Sequence, residues 1–239
     1  MIVKLIHLRE DKNEIILERR SIVRTSGLKD NELISVDFFS EGLSENYIKK
    51  CDAIIVGGSK FGVAKNDLSL HPKNLSALVN VLENAKSSGT PYLGLCFGAQ
   101  LLAYVFRGEV IYDKGREEIG TFEICKTKEA AADPLFRDLP KKFMAQCAHH
   151  DYVTKLPKGA ILLATSALCP VQAFRVGSNM YGLQFHPETS KEDYEEVIRL
   201  RFKDHGMQAQ HISKLVPSKE AETMPQRFID IFVRSKNQL

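Results

Sequence analysis

Four short apolar runs punctuate the first hundred residues: Ile2 to Leu8, Leu33 to Phe39, Ala53 to Val56 and Tyr92 to Leu95. Longer polar or amphipathic segments separate them, and this alternation predicts parallel strands joined by crossover helices. Leu75, Leu78, Val79 and Leu82 recur at i, i+3, i+4 and i+7, which predicts an amphipathic helix leading into the Tyr92 strand. From about Glu109 the texture changes to shorter strand-like pieces at Ile119 to Cys125, Phe143 to Cys147, Ile161 to Thr165, Val171 to Val176 and Met180 to Phe185, more antiparallel in character. After Pro187 the pattern is helical. Ser190 to Asp193 reads as a capping box, Tyr194, Val197 and Ile198 share one face, and Gly206 is placed to stop that helix. Near the C-terminus Phe228, Ile229 and Phe232 line one side of a further helix, which either covers its own core or docks a partner.

Composition narrows the class without changing this outline. The 239 residues are 44% hydrophobic, enough for a sizeable core, and 33 basic against 30 acidic side chains give a net charge of +3. No dense basic tract interleaved with aromatics points to nucleic acid, and no apolar run approaches a membrane span, so neither is an expected partner and a cytoplasmic location is expected. Five scattered cysteines without a C-x-x-C pair support neither a disulfide framework nor a metal cluster. Cys51, Cys125, Cys147 and Cys169 read as small packing residues.

Cys96 differs from the others in its setting. It stands between Gly94 and Gly98 where the Tyr92 strand gives way to the helical repeat of Leu101, Leu102 and Val105, with Gly108 as a stop signal. Glycines on both sides of a strand-to-helix corner permit a sharp turn with its apex exposed, the form of a nucleophile elbow. In the later stretch YGLQFHPETS, His186 and Glu188 lie two apart, so extended backbone points both to one face and the carboxylate can orient the imidazole. An oriented imidazole together with a helix N-terminus favours a thiolate, which makes Cys96, His186 and Glu188 a candidate catalytic triad.

Gly94-Leu95-Cys96-Phe97-Gly98-Ala99-Gln100 resembles the G-x-C-x-G-x-Q elbow of class I glutamine amidotransferases, and Phe185-His186-Pro187-Glu188 resembles their His-Pro-Glu signature. The resemblance implies an α/β fold, a flavodoxin-like three-layer sandwich with a mainly parallel central sheet and a small antiparallel portion. The chain reads as one such domain over residues 1–239, with 190–239 a helical C-terminal extension that neither motif covers. The resemblance also implies an oxyanion hole built by the N–H groups of Gly58, in the glycine loop after Val56, and of Phe97. Gln100, together with His149 and Asp151 in CAHHDYV, would line the glutamine pocket, and Glu118 falls in a Glu-Ile-Gly stretch like that of stand-alone relatives. The glycine loop departs from the family pattern, continuing Ser59-Lys60 where many members have Pro and then Ser.

The activity implied is attack of Cys96 on the γ-carboxamide of glutamine or of a γ-glutamyl compound, without cofactor or metal. No G-x-x-x-x-G-K-[ST] phosphate loop and no Ser-Gly-Gly-x-Asp stretch is present to activate an acceptor for ammonia. The primary expectation is therefore a hydrolase that works alone. The alternatives are a glutaminase subunit donating ammonia to a separate synthetase and, from another class, a non-catalytic binding or regulatory protein that keeps the fold.

Overall fold

The computed structural model describes residues 1–43, 51–64, 70–202 and 204–235. The first half alternates as its pattern predicts: β1 (Val3–Leu8), α1 (Lys12–Ser26), β2 (Leu33–Asp37), α2 (Phe38–Glu41), β3 (Ala53–Ser59), α3 (Pro72–Ser88), β4 (Tyr92–Leu95) and α4 (Phe97–Val105). The strands β5 (Glu109–Tyr112), β6 (Glu118–Lys126), β7 (Lys142–His149), β8 (Asp151–Lys155), β9 (Ile161–Thr165), β10 (Ala173–Val176) and β11 (Met180–Leu183) follow. The chain ends in helices α5 (Lys191–Arg201), α6 (His205–Ile212), α7 (Lys219–Glu222) and α8 (Met224–Ile229), the last running on into a π-helical turn.

Among the described residues one nine-stranded sheet runs in the order β2-β1-β3-β4-β11-β10-β9-β6-β7. Strands β2, β1, β3, β4 and β11 pair in parallel, and β10, β9, β6 and β7 extend the sheet antiparallel. Strands β5 and β8 form a separate antiparallel pair. Apolar clusters fill both faces of the sheet. On one face Ile54, Val56, Leu78 and Leu82 pack with α3 and α4, and on the other Leu5, Ile55 and Tyr181 meet Phe228, Ile229 and Phe232 of the C-terminal segment. Helices therefore cover a central sheet on both sides, the three-layer α/β arrangement.

Phe228 and Ile229 are fully buried, and Tyr181 makes ring contacts with Phe228 and Phe232. The extension thus buries its apolar side against its own core. Ser190 caps α5 with both bonds of the capping box in place.

Three local expectations are corrected. The second strand stops at Asp37 rather than Phe39, because the Asp37 carboxylate accepts from the N–H groups of Phe39 and Ser40 and starts a helical turn there. The helix after Ser190 ends at Arg201, and Gly206 lies inside the next helix, whose start Asp204 caps by accepting from Met207 N–H. At the end of α4 the left-handed residue is Arg107 (φ 68°), not Gly108. Gly108 is required there for space, since a Cβ would press on the Lys155 carbonyl.

Candidate active site

The carboxyl ends of β1, β3, β4 and β11 converge at one edge of the sheet, where open α/β sheets gather their functional groups. Cys96 sits there between β4 and α4 with φ 50° and ψ −100°, a strained backbone for a residue with a Cβ. Packing enforces it. A side chain on Gly94 would collide with the Gly98 carbonyl, and one on Gly98 with the Val56 carbonyl of β3. The Cys96 N–H donates to the Leu183 carbonyl at 2.8 Å, tying the apex to β11.

His186 and Glu188 lie past the end of β11, and the Gln146 carbonyl accepts the His186 N–H at 2.8 Å. The imidazole Nδ1 meets Glu188 Oε1 at 2.7 Å, and the Cys96 thiol lies near enough to the same ring to influence its charge. Burial alone would lower the His186 pKa. The adjacent Glu188 carboxylate and the contact with Cys96 outweigh it and hold the imidazole at about 10. Sequence positions 96, 186 and 188 are thus brought together in the order thiol, imidazole, carboxylate. The other buried thiols lack this setting: burial pushes Cys147 up strongly, and Cys169 up to about 12.

Around Cys96 a cavity of about 290 Å³ opens, with Gln100, His149 and Asp151 in its wall together with Ser59, Tyr112 and Phe202. Gln100 is buried and donates its amide to the Asp151 carbonyl at 2.8 Å and to Gln184 Oε1 at 3.3 Å, while Gln184 donates to Cys96 Sγ at 3.6 Å. His149 Nε2 faces Glu118 Oε2 at 3.0 Å, and Glu118 also accepts from Ser166 Oγ at 2.5 Å and from Gln172 Nε2. Ligand atoms of Glu118, Cys147 and His149 lie within 4.8 Å of one another, close enough for a cation. Three donors already converge on this carboxylate, so hydrogen bonding accounts for the cluster without an ion. His150 pairs instead with Glu117 at the half-exposed rim.

Gly58 and Phe97 fall differently from one another. Phe97 opens α4, so its N–H lies in the first helical turn, where no intrahelical acceptor exists. The Gly58 N–H donates to Glu18 Oε1 at 3.3 Å. Glu18, on α1, also meets His7 Nδ1 at 2.6 Å and takes Arg9 Nε at 3.2 Å and Nη2 at 3.1 Å. Its own burial would raise its pKa, but Arg9 and His7 outweigh that and bring it to about 2. Arg9 and Arg201 are joined through Glu14, at 3.1 Å and 2.8 Å, and both line a smaller cavity that includes Cys96 and His186. Sequence reasoning missed Arg9, Glu14, Glu18 and Arg201. The one available signal was the place of Arg9, directly after a strand whose carboxyl end faces the site.

The sequence profile of the family described as glutamine amidotransferase class-I matches residues 21–204. A subunit of the glutamine-hydrolyzing GMP synthase of Methanocaldococcus jannaschii is 36% identical over 124 residues, 52% of this chain and 64% of that protein. The same subunit from Pyrococcus abyssi is 34% identical over 131 residues, 54% of this chain and 68% of that one. The chain thus spans about two thirds of the length of these relatives. In three dimensions a glutamine amidotransferase from Thermotoga maritima superposes with a TM-score of 0.74 over 98% of both chains, at 21% identity, a likeness of fold. No helix among the described residues is long and apolar enough to cross a membrane. With the profile matching well over half its length, the chain belongs to the class I glutamine amidotransferases.

Proposed function

We propose that the chain hydrolyses the γ-carboxamide of glutamine and passes the ammonia to a separate synthetase. The observation that carries the chemistry is the buried line from Glu188 through His186 to the Cys96 thiol at a strained elbow. His186 takes the thiol proton, and Cys96 sulfur attacks the amide carbon, forming a C–S bond while the carbonyl π pair moves onto oxygen. The Phe97 N–H, at the positive end of α4, receives that oxyanion. Collapse of the intermediate re-forms the carbonyl and breaks the C–N bond, and His186 returns its proton to the leaving ammonia. Water then releases glutamate from the thioester. Gln100, His149 and Asp151 shape the glutamine pocket in the larger cavity.

The relatives named as one subunit of a GMP synthase support ammonia donation over the stand-alone hydrolase as the primary reading. A second reading, hydrolysis of a larger γ-glutamyl compound by the chain alone, draws on the cavity continuing past Cys96 to Phe61, Tyr112 and Phe202. One assay separates them: glutamate release from glutamine and from γ-glutamyl dipeptides, with and without the synthetase component of a GMP synthase. Ammonia donation predicts glutamine turnover that rises strongly with the synthetase and is lost in Cys96→Ala. Dipeptide turnover by the chain alone, unaffected by the synthetase, would establish the second reading instead. Activity surviving in Cys96→Ala above about a tenth of wild type would remove Cys96 from the chemistry.

A further inference from the structure

We propose that Gln184 is a further catalytic residue, whose side-chain N–H holds the Cys96 sulfur in its charged form, and that Gln100 is the positioning residue that aims it. The proposal rests on the reading of Cys96 as nucleophile. Gln184 Nε2 lies 3.6 Å from Cys96 Sγ, a hydrogen-bond distance for sulfur, and both residues are buried. An amide N–H facing a thiolate away from water makes a charge-assisted bond, stronger than the one it makes to the neutral thiol. The Ala148 carbonyl, 3.9 Å from the same sulfur, has the opposite preference, since it accepts from a thiol S–H and offers nothing to the anion. Gln184 therefore tips the sulfur toward the form that attacks.

The backbone fixes where this amide stands. Gln184 directly follows β11, its N–H donates to the Gln172 carbonyl at 2.8 Å, and the Leu183 carbonyl before it accepts the Cys96 N–H at 2.8 Å. Gln100 decides which end of the amide meets the sulfur. A carbonyl only accepts, so the Asp151 carbonyl at 2.8 Å must be met by Gln100 Nε2 and not by its oxygen. The same nitrogen donates to Gln184 Oε1 at 3.3 Å, which leaves Gln184 Nε2 toward Cys96. Reversing the Gln184 amide would set two donors face to face at one end and an oxygen against the thiolate at the other.

The same N–H serves the second half of the reaction. When water attacks the γ-glutamyl thioester, His186 takes its proton, a C–O bond forms and the carbonyl π pair moves onto oxygen. Collapse re-forms the carbonyl and breaks the C–S bond, whose pair leaves on sulfur. Gln184 receives that thiolate without rearrangement, because Asp151 and Gln100 hold the amide in place before substrate arrives.

The test compares wild type with Gln184→Met, close to glutamine in shape but without a donor, and with Gln184→Glu, which keeps the acceptor for Gln100 and puts oxygen against the sulfur. Alkylation of Cys96 by iodoacetamide is followed from acid to alkaline pH, and glutamate release is measured with the synthetase where turnover needs it. The titratable groups that feel the charge of this sulfur, His186, Arg9, Cys147, Cys169 and Tyr194, are the same in every variant. Where the alkylation rate still rises with pH it counts the thiolate present, and there Gln184→Met is expected to fall on the order of tenfold and Gln184→Glu further. On the alkaline plateau both are expected to stay within about twofold of wild type or to rise, because a thiolate relieved of its donor is the better nucleophile. In glutamate release kcat/KM is expected to fall on the order of tenfold in Gln184→Met. Gln100→Met is expected to lower the rising part of the alkylation curve and to add nothing in a Gln184→Met background.

A wild-type rate on the rising part in either folded Gln184 variant overturns the proposal, and Gln184→Glu carries the test if Gln184→Met does not fold. An equal fall on the plateau also overturns it, since that would mark Gln184 as packing alone. A further loss from Gln100→Met in the Gln184→Met background overturns the positioning role. Alkylation needs no substrate, so a wild-type chain that alkylates as expected yet releases no glutamate under any condition overturns the functional reading and not the bond from Gln184.

Discussion

Glu18→Gln is the substitution for which the structure gives the most definite magnitude. The carboxylate is almost completely buried and holds together His7, Arg9 and the Gly58 N–H, linking β1, α1 and the end of β3. Its pKa falls from 4.5 to about 2 on folding, a difference of roughly 3 kcal/mol at 1.36 kcal/mol per unit. Because the folded value is depressed, this stability is fully present above pH 4.5 and is lost as pH falls toward 2. The amide removes the charge, and it turns an N–H₂ donor toward a guanidinium that can only donate. Urea unfolding at pH 6 is expected to show the variant less stable by roughly 3 kcal/mol, or about 6 to 12 °C in Tm for a chain of this size. At pH 3 the wild-type carboxylate has lost part of its advantage, and the gap is expected to narrow by about 2 kcal/mol. A gap that stays constant between about pH 6 and pH 3 would refute the assignment of Glu18 as the charged node. A gap below about 1 kcal/mol at pH 6 would show that Arg9 does not depend on it.

His186→Ala is expected to cost nearly as much in kcat/KM as Cys96→Ala, whereas Glu188→Gln is expected to cost less, because an amide oxygen still accepts from Nδ1 at the 2.7 Å contact. Steady-state kinetics giving the reverse order would exchange their roles. Phe228→Ala removes a fully buried ring that packs on Tyr181 and is expected to destabilise by about 3 to 5 kcal/mol in urea unfolding. A loss under about 1 kcal/mol would mean that the C-terminal segment is not part of the core.

Much of the fold was legible because its signals are local. The alternation of apolar runs with amphipathic stretches required only periodicity, and the capping box at Ser190 lies within four residues. Errors fell where a polar side chain outranked an apolar run. Phe38 and Phe39 read as strand, yet the Asp37 carboxylate captured the backbone donors of Phe39 and Ser40, two and three residues on. Gly206 read as a helix stop, but glycine ends a helix by adopting a left-handed backbone, and here Asp204 restarts the helix before glycine can act.

The same distinction divides the site. Cys96 between two glycines and His186 two residues from Glu188 are short-range patterns, and the chemistry they suggest follows from spacing alone. The charged group behind them is held by contacts that span strands and helices: Arg9 to Glu18 crosses from a strand end to the middle of α1, Glu18 to Gly58 crosses 40 residues, and Arg201 to Glu14 crosses 187. Read along the chain, each of these residues is an ordinary charge in a helix turn or after a strand, where a solvated side chain is the default. Only the convergence of β1, β3 and α1 buries Glu18 and half-buries Arg9. That burial makes them consequential, because a carboxylate taken out of water must find donors, and the donors within reach are the Arg9 guanidinium and the Gly58 N–H. An elbow written in local sequence thus depends for its electrostatics on a network that no local pattern encodes.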